Sequence, residues 1–133
     1  MVNPDGVIYG NFRTNLSGFD LNRQWLGPDR WMHPEIYSIS KYLQNLTGIA
    51  FLMDFHGHSK KYNSFIYACT GDPSYLYKVY PYIYSKTSKF FSIKDCTYNL
   101  TPDKERTARI QIYRTINRPQ VFTLETSFFG YEI

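Results

Sequence analysis

Apolar residues recur at three- and four-residue spacings over Ile36, Ile39, Tyr42, Leu43 and Leu46. That spacing predicts an amphipathic helix over residues 34–46, with Pro34 in its first turn and Gly48 ending it. Residues 49–55 are instead an apolar run of strand length, interrupted only by Asp54, the pattern of a strand covered on both faces. Phe65 to Cys69 reads as a second strand closed by Thr70-Gly71-Asp72-Pro73. The Tyr- and Phe-rich stretch over residues 73–91 reads as a helix with Asp72 as N-cap. Residues 95–104 are polar and loop-like, and 108–116 fit a helix or a strand equally, since Ile110 and Ile112 alternate while Ile112 and Ile116 are four apart. A final strand spans residues 121–129 and stops at Gly130. Helices interleaved with buried strands make this an α/β chain, and its 133 residues are the size of one domain.

The chain opens on Asn3-Pro4-Asp5-Gly6, which reads as a turn. A turn joins two elements, so the expectation is that further sequence precedes it.

Composition narrows the class. At 43% hydrophobic and 19% aromatic the chain has the means to build a core, unlike a disordered polymer. The net charge of +4 is mild and its basic residues are scattered, which argues against nucleic acid as the partner. No apolar run approaches the ~20 residues of a membrane span, and the N-terminus lacks the regions of a signal peptide. The expectation is a cytoplasmic protein with no membrane and no nucleic-acid partner. Cys69 and Cys96 then read as packed thiols, and Lys60-Lys61 as a solvated pair at a strand end.

Three features could carry chemistry. His56-Gly57-His58 closes the apolar run of residues 49–55, and strand ends are where sites in α/β sheets sit. Neutral imidazole is a common zinc ligand. The competing reading is that one histidine caps the strand while the other is exposed. Glu125 lies in the alternating stretch Thr123-Leu124-Glu125, so with Leu124 in the core it faces the other way. It is then either a solvated carboxylate or a general base. Asn22-Arg23, with Arg13 ten residues earlier, offers planar guanidinium forks that match a carboxylate bidentately; two surface arginines in a loop would look the same.

In order along the chain, seven strings carry a resemblance: Asn3-Pro4-Asp5-Gly6-Val7; Asn11-Phe12-Arg13; Gly18 through Asn22-Arg23 to Trp25; His33-Pro34; Asp54-Phe55-His56-Gly57-His58-Ser59-Lys60; Lys104 through Arg109; and Thr123 through Phe128. Together they resemble the zinc carboxypeptidases, specifically the cytosolic branch that includes the deglutamylases. The resemblance implies a partial mixed β-sheet flanked by helices, belonging to the C-terminal part of the catalytic domain. It implies that His56 is a zinc ligand, that Glu125 is the catalytic glutamate, and that Asn22 and Arg23 hold the substrate's terminal carboxylate. Arg13 would stabilise the oxyanion. Arg109, with Lys104 and Arg106 as rivals, would meet an acidic side chain; its alternative is a solvated helix or loop charge.

The implied function is zinc-dependent removal of C-terminal residues, glutamate above all, from peptides or protein tails such as those of polyglutamylated tubulin. The family's His-x-x-Glu pair lies upstream of the Asn-Pro-Asp-Gly turn and has no counterpart within residues 1–133. One zinc ligand is then expected, and a chain inactive on its own. The alternative is a binding module that grips acidic C-terminal tails without cleaving them.

Overall fold

The opening expected as a turn is the start of a helix. Asn3 caps it: its side-chain oxygen accepts the Gly6 N–H at 3.1 Å while its amide donates to the Thr14 carbonyl at 2.9 Å. Gly6 is buried against this cap, and a Cβ at that position would lie 2.5 Å from the Thr14 carbonyl oxygen.

The computed structural model of the chain describes residues 1–71, 74–116 and 120–132. Its elements in order are α1 (Pro4–Ile8), a 3-10 turn (Leu21–Arg23), α2 (Pro34–Asn45), β1 (Leu52–His58), β2 (Ser64–Tyr67), α3 (Leu76–Thr87), two further 3-10 turns (Ile93–Asp95 and Pro102–Lys104), α4 (Ala108–Ile116) and β3 (Val121–Ser127). They fall into two compact units. One comprises Met1–Gly48 and Thr101–Ile116; the other comprises Ile49–Leu100 and Asn117–Ile133.

In the first unit α2 forms where its spacing predicts it, with Pro34 at its start, where the missing N–H costs nothing. Of its apolar stripe only Ile36 is fully buried; Tyr42 and Leu46 are exposed. Residues 108–116 resolve as helix α4, which buries Ala108, Ile110 and Ile112 and packs against α2.

The second unit holds a three-stranded mixed sheet in the order β1-β3-β2. β3 is central, parallel to β1 and antiparallel to β2. The register pairs Phe55 with Leu124 and His56 with Glu125 on one side, and Ile66 with Leu124 and Phe65 with Glu125 on the other. Paired residues point to one side of a sheet and successive residues alternate. Met53, Ile66, Phe122 and Leu124 therefore share one face, which forms the core with Tyr77 and Tyr84 of α3 and with Phe91. Asp54, His56, His58, Phe65, Tyr67, Thr123 and Glu125 share the other.

Two expectations shift. β1 begins at Leu52 and runs on through His58, so the His-Gly-His string lies within the strand. Nor is the strand covered on both faces: β1 pairs with β3 alone among the described strands, and Phe55 is 76% exposed. The helix expected over residues 73–91 is the shorter α3, entered from Tyr75 with a left-handed backbone (φ 57°). Asp72, expected as its cap, lies outside the described residues.

Candidate functional site

The candidate residues form two groups, one in each unit. In the first unit Asp20 organises the loop. Its carboxylate accepts the Asn22 N–H at 3.0 Å, capping the 3-10 turn, and pairs with Arg13 at 2.8 Å. Asn22 uses its side-chain oxygen to accept the N–H of Ala108 at 2.9 Å, satisfying one of the donors that the first turn of a helix leaves open. Arg23 donates to the Asn22 carbonyl at 2.9 Å, and the Trp25 N–H bonds to the Arg106 carbonyl at 3.2 Å. Residues 20–25 are thus fastened to the start of α4. Arg109 follows directly and is only 6% exposed, so the solvated-charge alternative for it is excluded. A groove of about 240 Å³ between Trp25, Leu43, Gln44, Gln111, Ile112 and Thr115 lies in the same unit, and none of the candidate residues lines it.

In the second unit the polar face of the sheet gathers two imidazoles and two carboxylates. His56 and Glu125 are direct partners across the β1–β3 ladder. His56 Nδ1 lies 3.1 Å from Asp54 Oδ1, and His58 Nδ1 lies 3.7 Å from Glu125 Oε2. The Glu125 and His58 side chains retain only 11% and 16% exposure, so neither the solvated carboxylate nor the exposed histidine is what folds. Burial, reinforced by the charges of Lys61 and Lys60, pushes the His58 pKa below its usual value, which favours the neutral ring. Lys61 is not a simple solvated lysine: it bonds Asp95 at 3.0 Å and stands over the Phe65 ring at 4.9 Å. Gly57, on the opposite face, leaves room for Phe128, whose ring would lie 2.2 Å from a Cβ there.

Neither Asp54 nor His58 was singled out from the sequence as a partner of the candidate residues. The signal was present in the alternation Asp-x-His-x-His, which places all three side chains on one face of a strand. Cys69 and Cys96 are free thiols, as expected.

The donor types suit zinc, which takes imidazole nitrogen and carboxylate oxygen. Their arrangement does not: catalytic zinc takes three protein ligands, and among the described residues no group of three or more His, Cys, Asp or Glu is placed to hold a metal. The described residues by themselves do not make a zinc site.

No family model matches the chain. Cytosolic carboxypeptidase 1 of Gallus gallus is 39% identical over 152 residues, covering 98% of this chain and 12% of that protein. A Plasmodium falciparum protein carrying a zinc carboxypeptidase name is also 39% identical, over 141 residues, covering 100% of this chain and 9% of that protein. Among solved structures, a metallo-carboxypeptidase from Burkholderia cenocepacia superposes with a TM-score of 0.82 at 26% identity, over 96% of this chain and 34% of that one. Over nearly its whole length the chain is similar, in sequence and in fold, to metallo-carboxypeptidases.

The mixed sheet with flanking helices matches part of a metallo-carboxypeptidase fold, and the chain spans about an eighth or less of the curated relatives named above. No helix among the described residues is long and apolar enough to cross a membrane.

Proposed function

We propose that this chain carries substrate-gripping and acid–base residues of a carboxypeptidase that removes C-terminal residues, glutamate foremost, from peptide or protein tails. Asn22 and Arg23 grip the terminal carboxylate, which a planar guanidinium meets bidentately. Arg13 faces the oxygen on which negative charge develops and so stabilises the transition state more than the ground state. Arg109 receives the acidic side chain, with Lys104 and Arg106 as its rivals for that role. Glu125 takes a proton from the attacking water and returns it to the departing amine. His56 is proposed as a single metal ligand. Polyglutamylated tails, those of tubulin among them, fit a site built from so many cations, and the cytoplasm is the compartment the relatives' name suggests.

The observation that carries the reading is identity of 35–39% to cytosolic carboxypeptidases across nearly the whole chain. The buried Glu125 paired with His56 adds a physical reason for the role of each. The test is a titration with a glutamate-ended peptide and its C-terminally amidated twin. A charge-assisted hydrogen bond is worth ~1.5–3 kcal/mol, so the free acid should bind ~10–100-fold more tightly, and Arg23→Ala should abolish the difference. Equal affinity for both peptides would end the proposal.

A second reading is a tail-binding module without hydrolysis. It is favoured by the absence of a three-ligand group among the described residues. Preference for the free acid, with no release of glutamate even by a version extended upstream with a His-x-x-Glu segment and supplied with zinc, selects it.

A further inference from the structure

The proposed base has a neighbour with no role assigned so far. His58 is two residues beyond His56 on β1, hence on the face that carries Glu125. Its Nδ1 stands 3.7 Å from Glu125 Oε2, while its Nε2 is buried with no hydrogen-bond partner among the described residues. Those two facts choose between the tautomers. A proton on Nε2 would be a buried donor left unsatisfied, at a cost of ~1–3 kcal/mol, and would turn the Nδ1 lone pair toward a carboxylate oxygen. A proton on Nδ1 points an N–H at that oxygen and leaves only an acceptor unfilled.

The ring is also held in place. It meets Phe65 edge-on, centroids 4.8 Å apart at 86°. Phe65 is wholly buried and is itself paired with Glu125 across the β2–β3 ladder. Lys61 lies over the Phe65 ring and is tied to Asp95, which accepts the Ser92 hydroxyl. A contact of 3.7 Å is beyond hydrogen-bond length. A small rotation of either side chain closes it, as happens to catalytic contacts when substrate arrives.

We infer that His58, as its Nδ1–H tautomer clamped by Phe65, is the positioning residue that aims the carboxylate of Glu125. The inference rests on the reading of Glu125 as the base, but its geometry can be tested without turnover.

Histidine-selective 15N labelling and two-bond proton–nitrogen correlation at neutral pH report which ring nitrogen carries the proton, with His58→Asn used to assign the resonances. The expected result is a protonated Nδ1 and a bare Nε2 in the unaltered chain. In Glu125→Met, which keeps the side chain's length and removes its oxygens, the ring should revert toward the Nε2–H form that free histidine prefers. The reciprocal measurement follows the 13C-labelled Glu125 carboxyl. His58→Phe should move its resonance, and His58→Asn, whose amide N–H stands in for Nδ1–H, should restore it. A proton on Nε2 in the unaltered chain would overturn the inference, as would a tautomer indifferent to Glu125→Met or a carboxyl signal indifferent to His58→Phe. In a version extended upstream with a His-x-x-Glu segment and supplied with zinc, hydrolysis that survives Glu125→Gln would overturn the catalytic reading of Glu125 while leaving the tautomer result intact, so the two failures are distinguishable.

Discussion

Asn22 does two jobs in this account, and they can be separated by one atom. Its side-chain oxygen accepts the Ala108 N–H at 2.9 Å across 86 residues of sequence, and its amide nitrogen is the donor proposed for the substrate carboxylate. Asn22→Ala removes both. Losing a side-chain cap costs ~0.5–2 kcal/mol, and the Ala108 N–H is left without its acceptor. The expected loss is therefore about 1 kcal/mol in urea denaturation, with faster hydrogen exchange at Ala108. Asn22→Asp keeps an oxygen for Ala108 and adds a negative charge at the N-terminal end of α4, where the helix dipole favours it by ~0.3–1 kcal/mol. It also replaces the donor with an acceptor that repels a bound carboxylate. Stability of Asn22→Asp should match or exceed that of the unaltered chain, while affinity for a glutamate-ended peptide falls by ~10-fold or more. If Asn22→Asp lost as much stability as Asn22→Ala, or if Ala108 exchange were unchanged in Asn22→Ala, the capping argument would be wrong.

The Ser92 hydroxyl and then Lys61 hold the Asp95 carboxyl below the usual carboxylate range. Its contribution is present above pH ~4 and lost as pH falls below that, so Asp95→Asn should flatten the acid limb of the stability curve while costing no more than about 1 kcal/mol at neutral pH. Burial, then the neighbouring Cys96, pushes Tyr98 up to about 12, so the folded state favours the neutral phenol. That contribution is complete below pH ~10 and disappears as pH rises through the folded value; Tyr98→Phe should shrink the loss of denaturant midpoint between those limits. Gly6→Ala sets a methyl against the Thr14 carbonyl and the Asn3 amide. A drop of ~2–3 kcal/mol in unfolding free energy is expected from the lost cap and the overpacking together, and a neutral result would show that α1 moves freely.

What could be read from the sequence was what local spacing encodes. α2 follows from its three- and four-residue periodicity and from Pro34. β3 follows from an apolar run stopped by Gly130, and Leu124-in, Glu125-out from alternation alone. The limits of β1 were displaced by three residues because its ends are set by pairing with residues 121–127, and long-range register leaves no trace in a short apolar run. The choice between helix and strand for residues 108–116 was settled by packing against α2 and by the Asn22 cap, both supplied from far along the chain. Arg109 looked like an ordinary helix charge because burial of a guanidinium depends on what surrounds it. His58 stands out in the sequence only as part of His56-Gly57-His58, and its tie to Glu125 does not, for a related reason: that carboxylate is 67 positions later and only the ladder brings it beside the ring.

The strand last in sequence sits in the middle of the sheet, with β1 and β2 both bonded to it. On a ribosome β1 and β2 would emerge before the strand that both bond, and those two ladders could form only once residues 121–127 had cleared the exit tunnel. Assembly of this unit is thus tied to completion of its final segment. A premature stop anywhere before residue 121 would remove the central strand and with it both ladders described for this sheet.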